Sequence, residues 1–287
     1  MIFKWNMVQT AFNSPIATGY DVIDRTVPMK YAHMKLAFEE LAKLHAVSFA
    51  LKHKKPLVYA ELIGTLFDNV MLQLYNQMGF DNFINKLASN CKRIFEGTNM
   101  YDKYCTFFER VVEEYHQSNI PDEYSTISHG DSWCNNILYS HDASGLPTSA
   151  ILIDYQMCRV HSPVLDLSYL FYGCADVELL PRLNEFLNIY YQTVKKCLAM
   201  FELDVENVYP RTKLLEHWKR YSKYGFIVSF LMRVLMLSTA DESPDLSLAA
   251  KKDGDVMMAF LYKMKREHEY NETMKAIVKH YIDEKFL

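Results

Sequence analysis

The sequence predicts a mainly helical α+β fold with a small β-hairpin near its middle, and three observations carry this. Apolar residues recur at helical spacing along most of the 287 positions. The period changes in one place, where "NNILYS" and "TSAILIDY" flank the turn-rich "HDASGLPT". No repeat of fixed period and no low-complexity tract divides the chain.

From Tyr31 to Leu51, Met34, Phe38, Leu41 and His45 make one apolar stripe flanked by Leu44 and Ser48, and the basic "KHKKP" closes the helix. A second helix is expected from about Val58, with Leu62, Leu66, Met71, Leu74 and Met78 facing inward and Gly79 as its C-terminal cap. A third gathers Tyr104, Phe108, Val111 and Tyr115 and ends before "SNIPDEYST". After the hairpin the helical period returns with Leu183, Phe186, Tyr190, Val194, Cys197 and Phe201 on one face. Helices continue through Trp218 to Leu237, and again from about Asp255 to the end.

Half of the residues are apolar, enough for one large core or two smaller ones. The net charge is −4, from 31 basic and 35 acidic residues without long runs of either sign. Neither a nucleic-acid surface nor a polybasic membrane patch is therefore expected. The six cysteines form no C-x-x-C pair and read as reduced core thiols rather than a disulfide framework. The N-terminal stretch has no continuous apolar segment, and "GFIVSFLMRVLML" is too short to span a bilayer and carries Arg233. The default expectation is a cytoplasmic protein with no membrane span.

The chemistry concentrates at the hairpin. In "HGDSWCNN", Asp131 precedes Asn136 by five positions, the spacing of a phosphoryl-transfer loop. In such a loop the Asp orients a substrate hydroxyl and takes its proton, while the Asn amide oxygen binds magnesium. Magnesium asks for hard oxygen ligands and shares them with phosphates, so one more carboxylate suffices; Asp154, ending "AILID", stands where the hairpin returns. Taken singly, Asp131, Asn135 and Asn136 are also ordinary turn residues, and His129 an ordinary hydrogen-bonded histidine. No His-x-x-x-His or comparable ligand spacing points to a metal hydrolase.

"HGDSWCNNILY", "ILIDYQ" and "VLDLSYLFY" resemble the ecdysteroid-kinase-like (CHK kinase-like) branch of the choline and aminoglycoside kinase superfamily, whose fold is that of protein kinases. The segments "GYDVIDRTVPMKYAHMKLAFEELAKLHAVSFAL" and "WKRYSKYGFIVSFLMRVLML" extend the resemblance from about residue 19 to the C-terminus. The resemblance implies the C-terminal large lobe of that fold over residues 19–287, with the catalytic loop and hairpin at about 125–158 and a divergent segment at 1–18. It further implies ATP and Mg2+ as cofactors, Asp131 as catalytic Asp, and Asn136 and Asp154 as magnesium ligands. His129 and Asp166 would support the loop, Asp166 through its backbone; without the family, Asp166 in "SPVLDL" reads equally as a helix-start residue. Trp133 fits the same branch, whereas His45 and Ser48 read as helix packing.

The implied acceptor is a hydroxyl on a small molecule, with a steroid such as an ecdysteroid as the family's named activity. The 20 Tyr and 17 Phe are enough to line an apolar pocket, though aromatics more often fill cores. A choline- or aminoglycoside-type acceptor would call for acidic residues around the pocket. The family's glycine-rich loop and ATP-binding lysine have no counterpart, because the nine glycines are scattered and no G-x-G-x-x-G occurs. The alternative expectation is accordingly a truncated, catalytically silent small-molecule-binding or regulatory relative.

Overall fold

The computed structural model describes residues 19–66, 79–239, 241–242 and 256–286. It is the mainly helical architecture with a central hairpin expected from the sequence. Strand β1 (Asp21–Val22) precedes helix α1 (Tyr31–Lys54), whose buried stripe of Met34, Phe38, Leu41, His45 and Phe49 follows the helical period. Lys52, His53 and Lys54 in its last turn complement the negative end of the helix dipole.

Pro56 opens a new helix, α2 (Pro56–Ile63), instead of letting α1 run on. The inward face of α2 runs through the buried Tyr59 and the partly buried Ile63, one residue on from Val58 and Leu62, so Leu62 is 41% exposed and its expected inward orientation is corrected. Met71, Leu74 and Met78 lie outside the described residues. Gly79, with φ of 70°, stands at the start of α3 (Phe80–Phe95), a helix the sequence reading passed over although Phe83, Ile84, Leu87, Cys91 and Phe95 mark its buried face. The third expected helix is two, α4 (Tyr101–Phe108) and α5 (Val111–Ser118), broken around Glu109 and Arg110.

Two small antiparallel sheets follow. Strand β2 (Thr126–Ser128) pairs with β5 (Arg159–His161), Thr126 opposite His161. Strands β3 (Ile137–His141) and β4 (Pro147–Leu152) form the hairpin, Ile137 opposite Leu152, and β1 adds to its β3 edge. Between the sheets lie the loop 129–136 and the segment 153–158, brought side by side by the two pairings.

Helix α6 (Val164–Cys174) is buried along its whole length, and all but Asp166 and Ser168 of its side chains are apolar, aromatic or absent. It packs on α10 (Lys223–Leu237), where Gly225 brings the two backbones together: a Cβ there would lie 2.1 Å from the carbonyl carbon of Ser168. Arg233, the charge inside the apolar α10 run, is buried and caps the end of α6, donating to the carbonyls of Tyr172 (2.9 Å) and Ala175 (2.6 Å). Helix α7 (Leu183–Ala199) lies along α1. Its face agrees with the sequence except at Phe201, which falls beyond the helix end and is 39% exposed. Short α8 (Val205–Val208), α9 (Arg211–Tyr221) and α11 (Glu267–Asp283) complete the α-helices among the described residues. All six cysteines are unpaired, and no helix among the described residues is long and apolar enough to cross a membrane.

Helix α11 buries His280, and desolvation pulls its pKa down to about 4. The unfolded chain takes up this proton below about 6.5, whereas the folded chain resists until about 4. Stability is thus complete above that window and declines as pH falls through it. In His280→Leu, the stability lost between pH 6.5 and 4.5 in urea titrations should shrink by on the order of 1–2 kcal/mol; an unchanged slope would show that His280 is not the acid-sensitive group.

Candidate functional site

The loop 129–136 leaves β2, turns through a short 3-10 segment (Cys134–Asn136) and enters β3. Gly130 has φ of 82°, and a Cβ on it would meet the Met157 carbonyl oxygen at 2.1 Å, so only glycine fits between the loop and segment 153–158. His129 fastens the same two segments. Its Nε2 donates to the Ile153 carbonyl (2.9 Å), and its Nδ1 accepts from the Asp131 amide (3.3 Å). The Ile153 amide in turn donates to the Asn136 carbonyl (3.0 Å), so the residue before Asp154 is held by both ends of the loop.

Asp154 follows in the left-handed region, φ 64° and ψ 63°, one of three non-glycine residues with positive φ among the described residues. Such a conformation is costly for a side-chain-bearing residue and concentrates at functional positions. Its carboxylate is exposed and accepts from Gln156 Nε2 (3.2 Å).

Asp166, in the first turn of α6, is buried behind the loop. Its Oδ2 accepts from the His129 amide (2.6 Å), its Oδ1 from the Gly130 amide (2.9 Å), and its own carbonyl from the Ser132 hydroxyl (2.9 Å). His45 Nε2 donates to Oδ2 at 3.0 Å, while its Nδ1 accepts from the Tyr190 hydroxyl (3.0 Å). Burial pushes the Asp166 carboxyl up, but the His45 hydrogen bond and the Gly130 amide oppose it, and the net direction is down. Ser48, one turn beyond His45, accepts the Ile127 amide (2.8 Å). Thus both α1 residues read as packing support the strand and loop through hydrogen bonds.

Asp131 sits half-buried in the loop. Its Oδ1 accepts from the Tyr169 hydroxyl (2.8 Å) and its Oδ2 from Asn136 Nδ2 (2.9 Å), which also reaches the Asp131 carbonyl (2.8 Å). Desolvation raises the Asp131 pKa, the Tyr169 and Asn136 hydrogen bonds and His129 oppose the rise, and the charge of Asp154 adds to it. His129, Asp131, Asn136 and Asp166 are therefore joined by direct hydrogen bonds, and Asp154 through Ile153. Trp133 is partly buried against the core. The contact missed from the sequence is Tyr169, whose signal was its place three residues after Asp166 on one helix face.

The sequence model of the Ecdysteroid kinase-like family matches residues 12–203, well over half of the 287. The chain belongs to the ecdysteroid kinase-like family. Its match spans all the residues of the loop, the Asp154 segment and Asp166. Among solved structures, the chain is similar to a protein assigned as an aminoglycoside phosphotransferase of Ralstonia eutropha JMP134, at 13% identity and a TM-score of 0.38, over 90% of this chain and 69% of the other. No curated protein matches the chain.

For this ecdysteroid kinase-like chain, no group of three or more His, Cys, Asp or Glu among the described residues is arranged to hold a metal. The donor set at the loop is smaller and all-oxygen. With Asn136 Nδ2 committed to Asp131, its amide oxygen is the atom that would face a cation, and the exposed Asp154 carboxylate is the second oxygen group that could serve as a ligand. Hard oxygen donors in that number suit magnesium, which keeps its waters and shares phosphate oxygens.

Proposed function

We propose that this member of the ecdysteroid kinase-like family transfers a phosphoryl group from ATP to a hydroxyl of a small molecule, with Asp131 as the group that meets the hydroxyl. The observation that carries the reading is the Asp131–Asn136 pair, hydrogen-bonded to each other on a loop whose amides end on the buried Asp166. Asp131 orients the acceptor hydroxyl and accepts its proton as the oxygen attacks phosphorus. Desolvation that raises its pKa makes it a better base than an exposed carboxylate. Asn136 and Asp154 would hold Mg2+, which would supply neutralisation of the charge on the transferring phosphates. The acceptor class is a steroid hydroxyl, on the strength of the family's description. Residues 19–287 act as one large lobe in this reading.

Calorimetric titration of the purified chain with ATP, with and without Mg2+, tests it. Magnesium-dependent binding is expected, weakened at least tenfold in Asp154→Ala, the scale of losing a metal ligand or its support. Absence of binding by a folded chain would favour a silent small-molecule binder over a phosphotransferase.

A further inference from the structure

We infer that Tyr169 is a positioning residue for Asp131: its hydroxyl on Oδ1, opposite the Asn136 amide on Oδ2, sets the rotamer in which the carboxylate faces an acceptor hydroxyl. The hold on the carboxylate stands on geometry alone; its use in turnover rests on the phosphotransferase reading above.

Helix α6 contributes Asp166 and Tyr169 from one face, three residues apart, so a single rigid element fixes both the loop backbone and the Asp131 side chain. Gly225 of α10 fixes that element at the required place, since a Cβ there would lie 2.4 Å from the Tyr169 amide nitrogen. The Tyr169 ring stacks on Tyr224, 6.3 Å between centroids, and Tyr224 accepts from Arg159 (3.0 Å). The tyrosine is thereby locked before it meets Asp131.

The Tyr169 hydroxyl also lies 3.3 Å from Met232 Sδ. It has one proton, and an ionised carboxylate is a far stronger acceptor than a thioether, so the proton goes to Asp131. A carboxylate has about four acceptor sites. Tyr169 and Asn136 take one on each oxygen, which pins the plane of the group and leaves a site on each oxygen for substrate. Were Tyr169 only filling space, its ring would suffice; the hydroxyl is what the inference turns on.

The test is Tyr169→Phe, read first by the three-bond carbon and nitrogen couplings that report the Asp131 χ1 angle by NMR. Wild type should give the extreme values of one rotamer, and Tyr169→Phe averaged ones, with the loop amide shifts little changed. Met232→Leu, which alters the packing but keeps the hydroxyl, should retain the wild-type couplings. Equal couplings in wild type and Tyr169→Phe, or averaging in Met232→Leu as well, would overturn the inference. If Tyr169→Phe does not fold, the unaltered chain decides: with isotope-labelled tyrosine, the Tyr169 hydroxyl proton should exchange slowly and speed up in Asp131→Ala, and fast exchange in the wild type refutes the bond. In turnover, kcat should fall roughly tenfold, the scale of one hydrogen bond to a charged group, with KM for Mg·ATP within twofold. A chain without turnover would count against the phosphotransferase reading, while the couplings would still judge Tyr169.

Discussion

Asp166→Ala is expected to lower folding stability by about 3–5 kcal/mol, the scale of removing one partner from a buried ionic hydrogen-bond set. The loss exceeds that of an ordinary surface carboxylate because three donors are orphaned together: the His129 and Gly130 amides and His45 Nε2. His45 is itself buried, so water does not reach it to compensate. Acid should act in the same direction. The folded carboxyl is held below its ordinary 3.8, so its contribution is complete above that value and disappears as pH falls through the lower folded one. Urea titration at neutral pH measures the first effect; repeated as pH falls below 3.8, it should show the gap between wild type and variant narrowing. A neutral-pH loss under about 1 kcal/mol would mean that the loop finds other acceptors, and that Asp166 is not what holds it.

The extent to which this arrangement could be read from the sequence depends on the range of the interactions. The loop and hairpin were legible because their signals are local: an Asp and an Asn five apart, then two short β-type runs around a turn. Helix α1 was legible for the same reason. His45 was correctly expected to be buried, but its bond to Asp166 crosses 121 residues, and no local pattern states it. Tyr169 was hidden more thoroughly. In a helix buried on every side an aromatic position looks like core, and the contact that makes its hydroxyl matter depends on where Gly225, 56 residues later, lets α10 approach. The error at Leu62 is one of phase within α2: the inward face runs through Tyr59 and the partly buried Ile63, one residue on from Val58 and Leu62, which both face solvent.

Asp131→Asn separates chemistry from binding. The substitution keeps the side chain's size and one acceptor oxygen, so Tyr169 or Asn136 retains a partner, but it removes the charge and the ability to take a proton. If Asp131 acts on the acceptor hydroxyl, kcat with a hydroxylated steroid panel and Mg·ATP should fall by roughly 10²–10⁴-fold, the usual worth of a general base. ATP affinity should stay within about twofold, because Asn136 and Asp154, not Asp131, hold the metal in this reading. The pattern should invert in Asp154→Ala, where nucleotide binding fails first. A variant at position 131 that keeps more than a tenth of its turnover would make the carboxylate a structural partner of Asn136 and Tyr169. One that loses Mg·ATP binding and turnover together would place Asp131 among the metal's ligands. Loss of turnover with binding retained is the expected pattern, because the Asn136 and Tyr169 donors take one site on each Asp131 oxygen and would leave the others for an acceptor hydroxyl.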